Sequence, residues 1–191
     1  MKTRFKPYHH YKGDDLSPSE KVERKVIELL LSSNISDKER DSSIIFEIKH
    51  SSECIQVARI LAQKRNLNIE LAEAAAALHD INVIVKGRYK DHARLGAPVA
   101  EKILKEIGGF SASDMKIICD AVAHHSEKNI YSKNPYIELI KDADSFECSL
   151  YKNAKDEYKL TKSPFLFKEY INRIKKVRHE LGLPKEPVFR K

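Results

Sequence analysis

Glycine is scarce in this chain, with six in 191 residues, and tryptophan is absent. No run alternates apolar and polar residues, so a β-sheet is not expected. Cysteine is rare too. Cys54, Cys119 and Cys148 stand apart from one another inside helical patterns. That spacing excludes a disulfide framework and a thiolate zinc site, and it suits a reducing, cytoplasmic setting. No apolar run approaches the length that spans a bilayer, so no membrane partner is expected. The opening Met1-Lys2-Thr3-Arg4-Phe5-Lys6 has no hydrophobic stretch behind it, so no signal peptide is expected. A Gly-x-x-x-x-Gly-Lys phosphate loop is also missing, which argues against ATP as an energy source.

What is present is ordinary in bulk. Hydrophobic residues make up 41% and charged residues 33%, as in a soluble globular protein. The length suits one domain with a sizeable core. The balance is basic, +7 with a pI near 9.2, and a positive field favours phosphorylated small molecules or nucleic acid. A solvated lysine-rich surface gives the same balance, and no basic stripe is interleaved with aromatics for base stacking. Nucleic acid is therefore not the expected partner.

Periodicity predicts an almost wholly helical chain of about six to seven helices. Residues 1–16 are polar and irregular, an arm ahead of one domain over 17–191. Ser17-Pro18-Ser19-Glu20 reads as a capping box with proline at the first helical position, opening a helix to about Leu31. A second helix runs from about Ser43 to Lys64, and an alanine-rich third from about Ile69 to Asp80. Residues 81–91 read as a loop carrying Lys86, Gly87, Arg88 and Lys90. His92 opens a fourth helix that stops at Gly108-Gly109. A fifth begins near Ser111–Ser113 and a sixth at Pro135. A basic, amphipathic last helix covers about 164–181.

Against this background one set of polar residues stands out: His50, His79, Asp80, His92, His124, His125 and Asp144. At 100° per residue, Phe46, Cys54, Val57 and Leu61 all fall within about 40° of His50, which places it mid-stripe on a buried face. On the sixth helix Asp144 lies just inside one edge of the apolar face, whereas Asp142 lies opposite. Glu147 also projects inward and could support a ligand. A lone histidine on an apolar face is usually a core residue with a satisfied hydrogen bond. Five histidines and two aspartates on inward faces would be a heavy burden of buried polarity, which bound cations would offset. Imidazole and carboxylate together suit Fe, Mn, Co, Ni or Zn, and the lack of thiolates favours an open catalytic site. His9, His10 and His179 read as exposed.

These residues carry a resemblance. His50-Ser51-Ser52-Glu53-Cys54, Leu78-His79-Asp80-Ile81, His92-Ala93-Arg94-Leu95-Gly96-Ala97, Ala123-His124-His125-Ser126 and Ile140-Lys141-Asp142-Ala143-Asp144 follow the motif order of the HD-domain superfamily of metal-dependent phosphohydrolases. The resemblance covers about residues 44–150 and looks nearest to the group that hydrolyses dinucleoside polyphosphates and nucleotides. It implies an all-α HD-type bundle holding one or two divalent metal ions. His50, His79, Asp80 and Asp144 would hold the first ion. Asp80 would bridge to a second, held by His92, His124 and His125. The doublet His79-Asp80 would be the catalytic centre, acting on a small phosphorylated substrate such as a nucleotide. Many members carry a lysine three residues after the doublet aspartate, where this chain has Val83. Lys86, Arg88, Arg94 or Lys128 could contact phosphate instead. Two alternatives remain at this stage: a nucleotide-sensing module without catalysis, and a di-iron oxygenase on the same scaffold. Oligomeric state is not legible, and a homodimer is a guess.

Overall fold

The structure, a computed structural model, describes residues 15–191. Among them are nine helices and no strand. They are α1 (Pro18–Leu31), α2 (Ile44–Lys64), α3 (Ile69–Leu78), α4 (Ile81–Lys86), α5 (His92–Ile107), α6 (Ala112–His124), α7 (Pro135–Cys148), α8 (Ala154–Thr161) and α9 (Pro164–Glu180). Most of the arm expected at residues 1–16, with His9 and His10, lies outside the described residues. Its last residue, Leu16, is buried.

Helix starts follow local chemistry. Ser17 and Glu20 form the expected capping box at α1, and Ser111 with Asp114 forms another at α6. Pro135 and Pro164 sit at the first helical position of α7 and α9. Two helices exceed the sequence expectation. The segment read as a loop at 81–91 begins with α4, too short to display a helical period. Gly87 closes it in the left-handed region at φ 69°, and Arg40 donates to the Val83 and Ile84 carbonyls at 2.8 and 3.2 Å. α8 was not legible because none of its residues is buried, so it has no apolar stripe.

α3 is the central helix. Every residue from Leu71 to Leu78 is buried, and α1, α2, α6 and α7 pack around it. Its run of alanines explains the arrangement, since small side chains admit neighbours close to the backbone on several sides. The chain leaves α3 at His79-Asp80 and turns at once into α4, which puts the doublet at the heart of the bundle.

α9 keeps Lys168, Lys175 and Lys176 exposed, as its basic, amphipathic sequence suggests, but it buries one cation. Arg173 is 1% exposed. It donates to Asp142 Oδ1 at 2.8 Å, to Glu138 Oε2 at 2.9 Å and to the Lys128 carbonyl at 2.7 Å. Lys176 and Arg65 each reach Asp142 Oδ2 at 2.7 Å. Asp142, on the side of α7 away from Asp144, is thus a structural anchor for α2 and α9.

Gly96 sits one turn beyond His92 on α5. A Cβ there would meet Ile81 Cγ2 at 3.3 Å and Val122 Cγ1 at 3.4 Å, so the missing side chain lets α5 approach α4 and α6. Gly96→Val is expected to destabilise the fold by about 1–3 kcal/mol through overpacking, measured by urea unfolding. Arg173→Met strands Asp142 beside fewer cations and is expected to cost about 3–5 kcal/mol in the same measurement. A loss under about 1 kcal/mol would mean that Lys176 and Arg65 suffice.

Candidate metal centre

Four of the expected histidines and both aspartates meet at one place. His50 comes from α2, His79 from the end of α3, His92 from the first residue of α5, His125 from the end of α6 and Asp144 from α7, while Asp80 stands between α3 and α4. The imidazoles form two pairs. His50 Nε2 lies 3.0 Å from His79 Nε2, and His92 Nε2 lies 3.0 Å from His125 Nε2. Asp80 stands between the pairs. Its Oδ2 is 3.4 Å from His79 Nε2 and 3.6 Å from His50 Nε2, and its Oδ1 is 3.2 Å from His92 Nε2 and 3.3 Å from His125 Nε2. Asp144 Oδ1 joins the first pair at 3.8 Å from His50 Nε2.

The other ring nitrogen of each histidine is already engaged. His79 Nδ1–H donates to the Ala76 carbonyl at 2.7 Å, His92 Nδ1–H to Tyr89 at 2.6 Å and His125 Nδ1–H to Val122 at 2.8 Å. A carbonyl only accepts, so a proton sits on Nδ1, and the atom left for a ligand bond is Nε2, whose lone pair is presented when the ring is neutral. For His79 and His125 the acceptor is a last-turn carbonyl that the helix leaves without a partner. His50 Nδ1 meets Glu147 Oε2 at 2.5 Å, the inward carboxylate expected on α7.

With both rings of a pair neutral, two lone pairs would face each other at 3.0 Å and repel, and Asp80 Oδ1 is buried with no hydrogen bond. Both features fit a divalent cation: nitrogen and oxygen donors converge, each imidazole is oriented from behind, and a central carboxylate offers one oxygen to each side. Burial disfavours the charged forms of His50 and His92, yet Cys54 and Cys148 beside the one and Asp80 beside the other push both upward; the carboxylates and His125 fit a cation site more directly. Burial alone would raise Asp80, but His79, His125 and His92 hold its carboxyl well below the usual range. Burial likewise opposes Asp144, and Lys128 together with His79, His50 and His125 outweighs it, so its carboxyl is held below the usual range. Burial pulls His125 down to about 4, so its ring stays neutral at neutral pH.

His50, Cys54, His79 and Asp144 offer donor atoms within 4.8 Å of one another, as do His79, Asp80 and His125. Cys54 thus sits beside the site, on the buried face it shares with His50 by helical spacing. Burial pushes its thiol and that of Cys148 upward, Cys148 to about 11, so both remain thiols. They are poor ligands in that form.

Other expected residues lie elsewhere. His124 is half exposed, with Nδ1 3.0 Å from Glu127 Oε2, and does not join the cluster. It precedes His125 by one residue, and adjacent helical residues do not share a face. Lys128, expected at phosphate, has no exposed surface and bonds Asp144 and the His125 carbonyl. Arg88 is exposed and paired with Asp41 at 2.7 Å, while Lys86 and Arg94 are exposed on α4 and α5. Val83, at the usual lysine position, is core. His179 is exposed as expected.

Glu47 was missed by sequence reasoning. It is 1% exposed, accepts from Tyr89 Oη at 2.8 Å and from Ser42 Oγ, and leaves Oε2 without a hydrogen bond. Burial and the Asp80 charge push its carboxyl up. Its spacing, one turn before His50, was the available signal.

Known proteins share stretches of this sequence and its fold. The HD domain family model matches residues 48–148, more than half of the chain. A ribonuclease Y of Mycoplasmoides gallisepticum is 33% identical over 123 residues, 56% of this chain and 19% of the relative. A ribonuclease Y of Chloroflexus aurantiacus is 30% identical over 99 residues, 51% of this chain and 18% of the relative. The matched stretch therefore spans about a fifth of each curated relative's length. The fold is shared with the crystal structure of a predicted HD superfamily hydrolase from an uncultured Thermotogales bacterium, with a TM-score of 0.53 at 20% identity over 83% of this chain and 88% of that one. The motif-bearing helices and the histidine–aspartate doublet at their junction place this chain in the HD domain family.

Proposed function

We propose that this protein is a metal-dependent phosphohydrolase that cleaves a phosphate ester or anhydride of a small nucleotide. The observation that carries the reading is the convergence of four Nε2 atoms, each turned inward by a contact at Nδ1, on a carboxylate with an unsatisfied oxygen. His50, His79, Asp80 Oδ2 and Asp144 would hold one divalent ion, and Asp80 Oδ1, His92 and His125 a second. Bound there, such ions supply Lewis acidity to phosphate oxygens and lower the pKa of a water that attacks phosphorus.

The residues do the rest. The Ala76, Tyr89 and Val122 carbonyls and Glu147 keep the rings from rotating. Asp80, held ionised, spans the pairs and fixes the spacing of whatever binds between them. Tyr89, edge-on to His92 at 5.5 Å between ring centroids, walls one side and carries Glu47. A protein nucleophile is not needed, and neither buried thiol is suited to the task. Lys86, Arg88 and Arg94 remain the surface cations through which an anionic substrate would be drawn in.

A second reading has a specific support. Two curated relatives are named ribonuclease Y, and the chain is basic, so an RNA phosphodiester is the competing substrate despite the lack of a stacking stripe in the sequence.

Manganese, iron, nickel and cobalt should each be tested with a panel of nucleotides, dinucleoside polyphosphates and single-stranded RNA. Metal-dependent release of phosphate or a nucleoside phosphate from the small substrates is expected, and His79→Ala and Asp144→Asn are each expected to lower it by at least about 100-fold, since even residues supporting metal ligands matter by 10–100-fold. Cleavage of RNA alone would favour the second reading. Tight metal binding without hydrolysis of anything on the panel would sink both in favour of a sensing module, and oxygen uptake would point to the oxygenase.

His124 and His125 give a sharper check. His125→Ala is expected to lose one bound ion by metal analysis, whereas His124→Ala keeps the metal content and rate of the parent. The reverse pattern would refute the ligand set drawn here.

A further inference from the structure

Lys128 lies in the turn between α6 and α7, three residues beyond His125, with no exposed surface. Its ammonium donates to the His125 carbonyl at 2.7 Å and to Asp144 Oδ2. The Lys128 carbonyl in turn accepts from Arg173 Nε at 2.7 Å, which ties the turn to α9. One buried cation therefore touches both halves of the centre. It meets the backbone of the residue whose ring faces His92, and the carboxylate that faces His50. Asp144 is left with Oδ2 occupied from behind and Oδ1 directed to the His50 side, where the Cys148 thiol is its neighbour at 3.5 Å.

We propose that Lys128 is a positioning residue for the metal centre that acts through Asp144: anchored on the His125 carbonyl, it holds Asp144 by the outer oxygen and presents Oδ1 as a single donor. The proposal rests on the cation-binding reading of the site given above. It replaces the direct phosphate contact expected of Lys128 from the sequence, because a fully buried ammonium engaged with a ligand-bearing carboxylate is not presented to an incoming substrate.

Two effects of opposite sign meet here. An ammonium on Asp144 draws on the same negative charge that attracts a metal ion, so its removal would tighten metal binding by electrostatics alone. Its removal also leaves a buried carboxylate oxygen unpartnered and the side chain free to turn away from His50. Partners behind metal ligands generally matter by about 10–100-fold in affinity, and the second effect dominates when the donor set depends on one oriented oxygen.

Manganese(II) is the probe, titrated by calorimetry into the parent protein, Lys128→Met, Lys128→Gln, Lys128→Arg, Asp144→Asn and the Lys128→Met/Asp144→Asn double variant. Thermal melts in chelator establish that each is folded. Methionine matches the lysine stem in length and removes the ammonium, its charge and its two hydrogen bonds together; glutamine is the second neutral variant should methionine fail to melt cooperatively. Either neutral variant is expected to weaken manganese by about 10–100-fold, with arginine nearer the parent. In the Asp144→Asn background the Lys128→Met change should add less than about 2-fold, as required of a residue that acts through Asp144. Unchanged affinity in the neutral variants, tighter binding, or an equal loss with and without Asp144 would overturn the proposal. Failure of the parent itself to bind manganese would overturn the cation reading of the site, and this proposal with it.

Discussion

A buried carboxylate between two pairs of imidazoles is the constraint to which the rest of this fold answers. Asp80 is 6% exposed, and both of its oxygens lie within 3.6 Å of imidazole nitrogens. Taking a charge and four rings out of water is unfavourable unless each polar atom is engaged. The molecule engages all but the inner edge. Three rings turn their Nδ1–H onto carbonyls three residues earlier in the chain, one turns onto Glu147, and the Nε2 atoms are left facing inward. What remains unsatisfied is a cavity edge of nitrogen lone pairs and carboxylate oxygens, the donor chemistry of a divalent ion.

The packing exists to hold those edges in register. α3 brings the doublet to the middle because its alanines let four helices crowd around it. Gly96 does the same for α5, setting His92 against the α4–α6 side. At the far side of α7, Asp142 gathers Arg65, Arg173 and Lys176, so α7 is fixed by charge on one face while Asp144 serves the site on the other. Arg173 also holds the Lys128 backbone, which connects that structural cluster to the metal centre through a single residue. The two acidic residues of α7, two positions apart, thus have opposite duties, and the helical period alone separates them.

The helical period made much of this legible. It separated Asp144 from Asp142, placed His50 on a buried face and identified Glu147 as inward. Where it was silent, the reason is physical. α4 is shorter than two turns and α8 has no buried face, so neither carries a readable stripe. His124 and His125 are neighbours at the end of α6 and do not share a face, and the apolar stripe left open which of them looks inward; the choice is made by which ring reaches the Val122 carbonyl and which finds Glu127 in solvent. Glu47 was hidden in plain sequence because a glutamate near the start of a helix is ordinarily an exposed charge favoured by the helix dipole.

The sequence by itself determined an all-helical chain, the inward faces of its helices and a set of imidazoles and carboxylates in the order of a known family, because periodicity and residue chemistry are local properties. Only the tertiary structure decided which of them meet. It turned His124 out to its near neighbour Glu127, and it put Asp80 between two histidine pairs, sank Lys128 behind Asp144 and made Arg173 a brace, since these last outcomes depend on partners up to 45 positions apart and on which of them satisfies a buried charge.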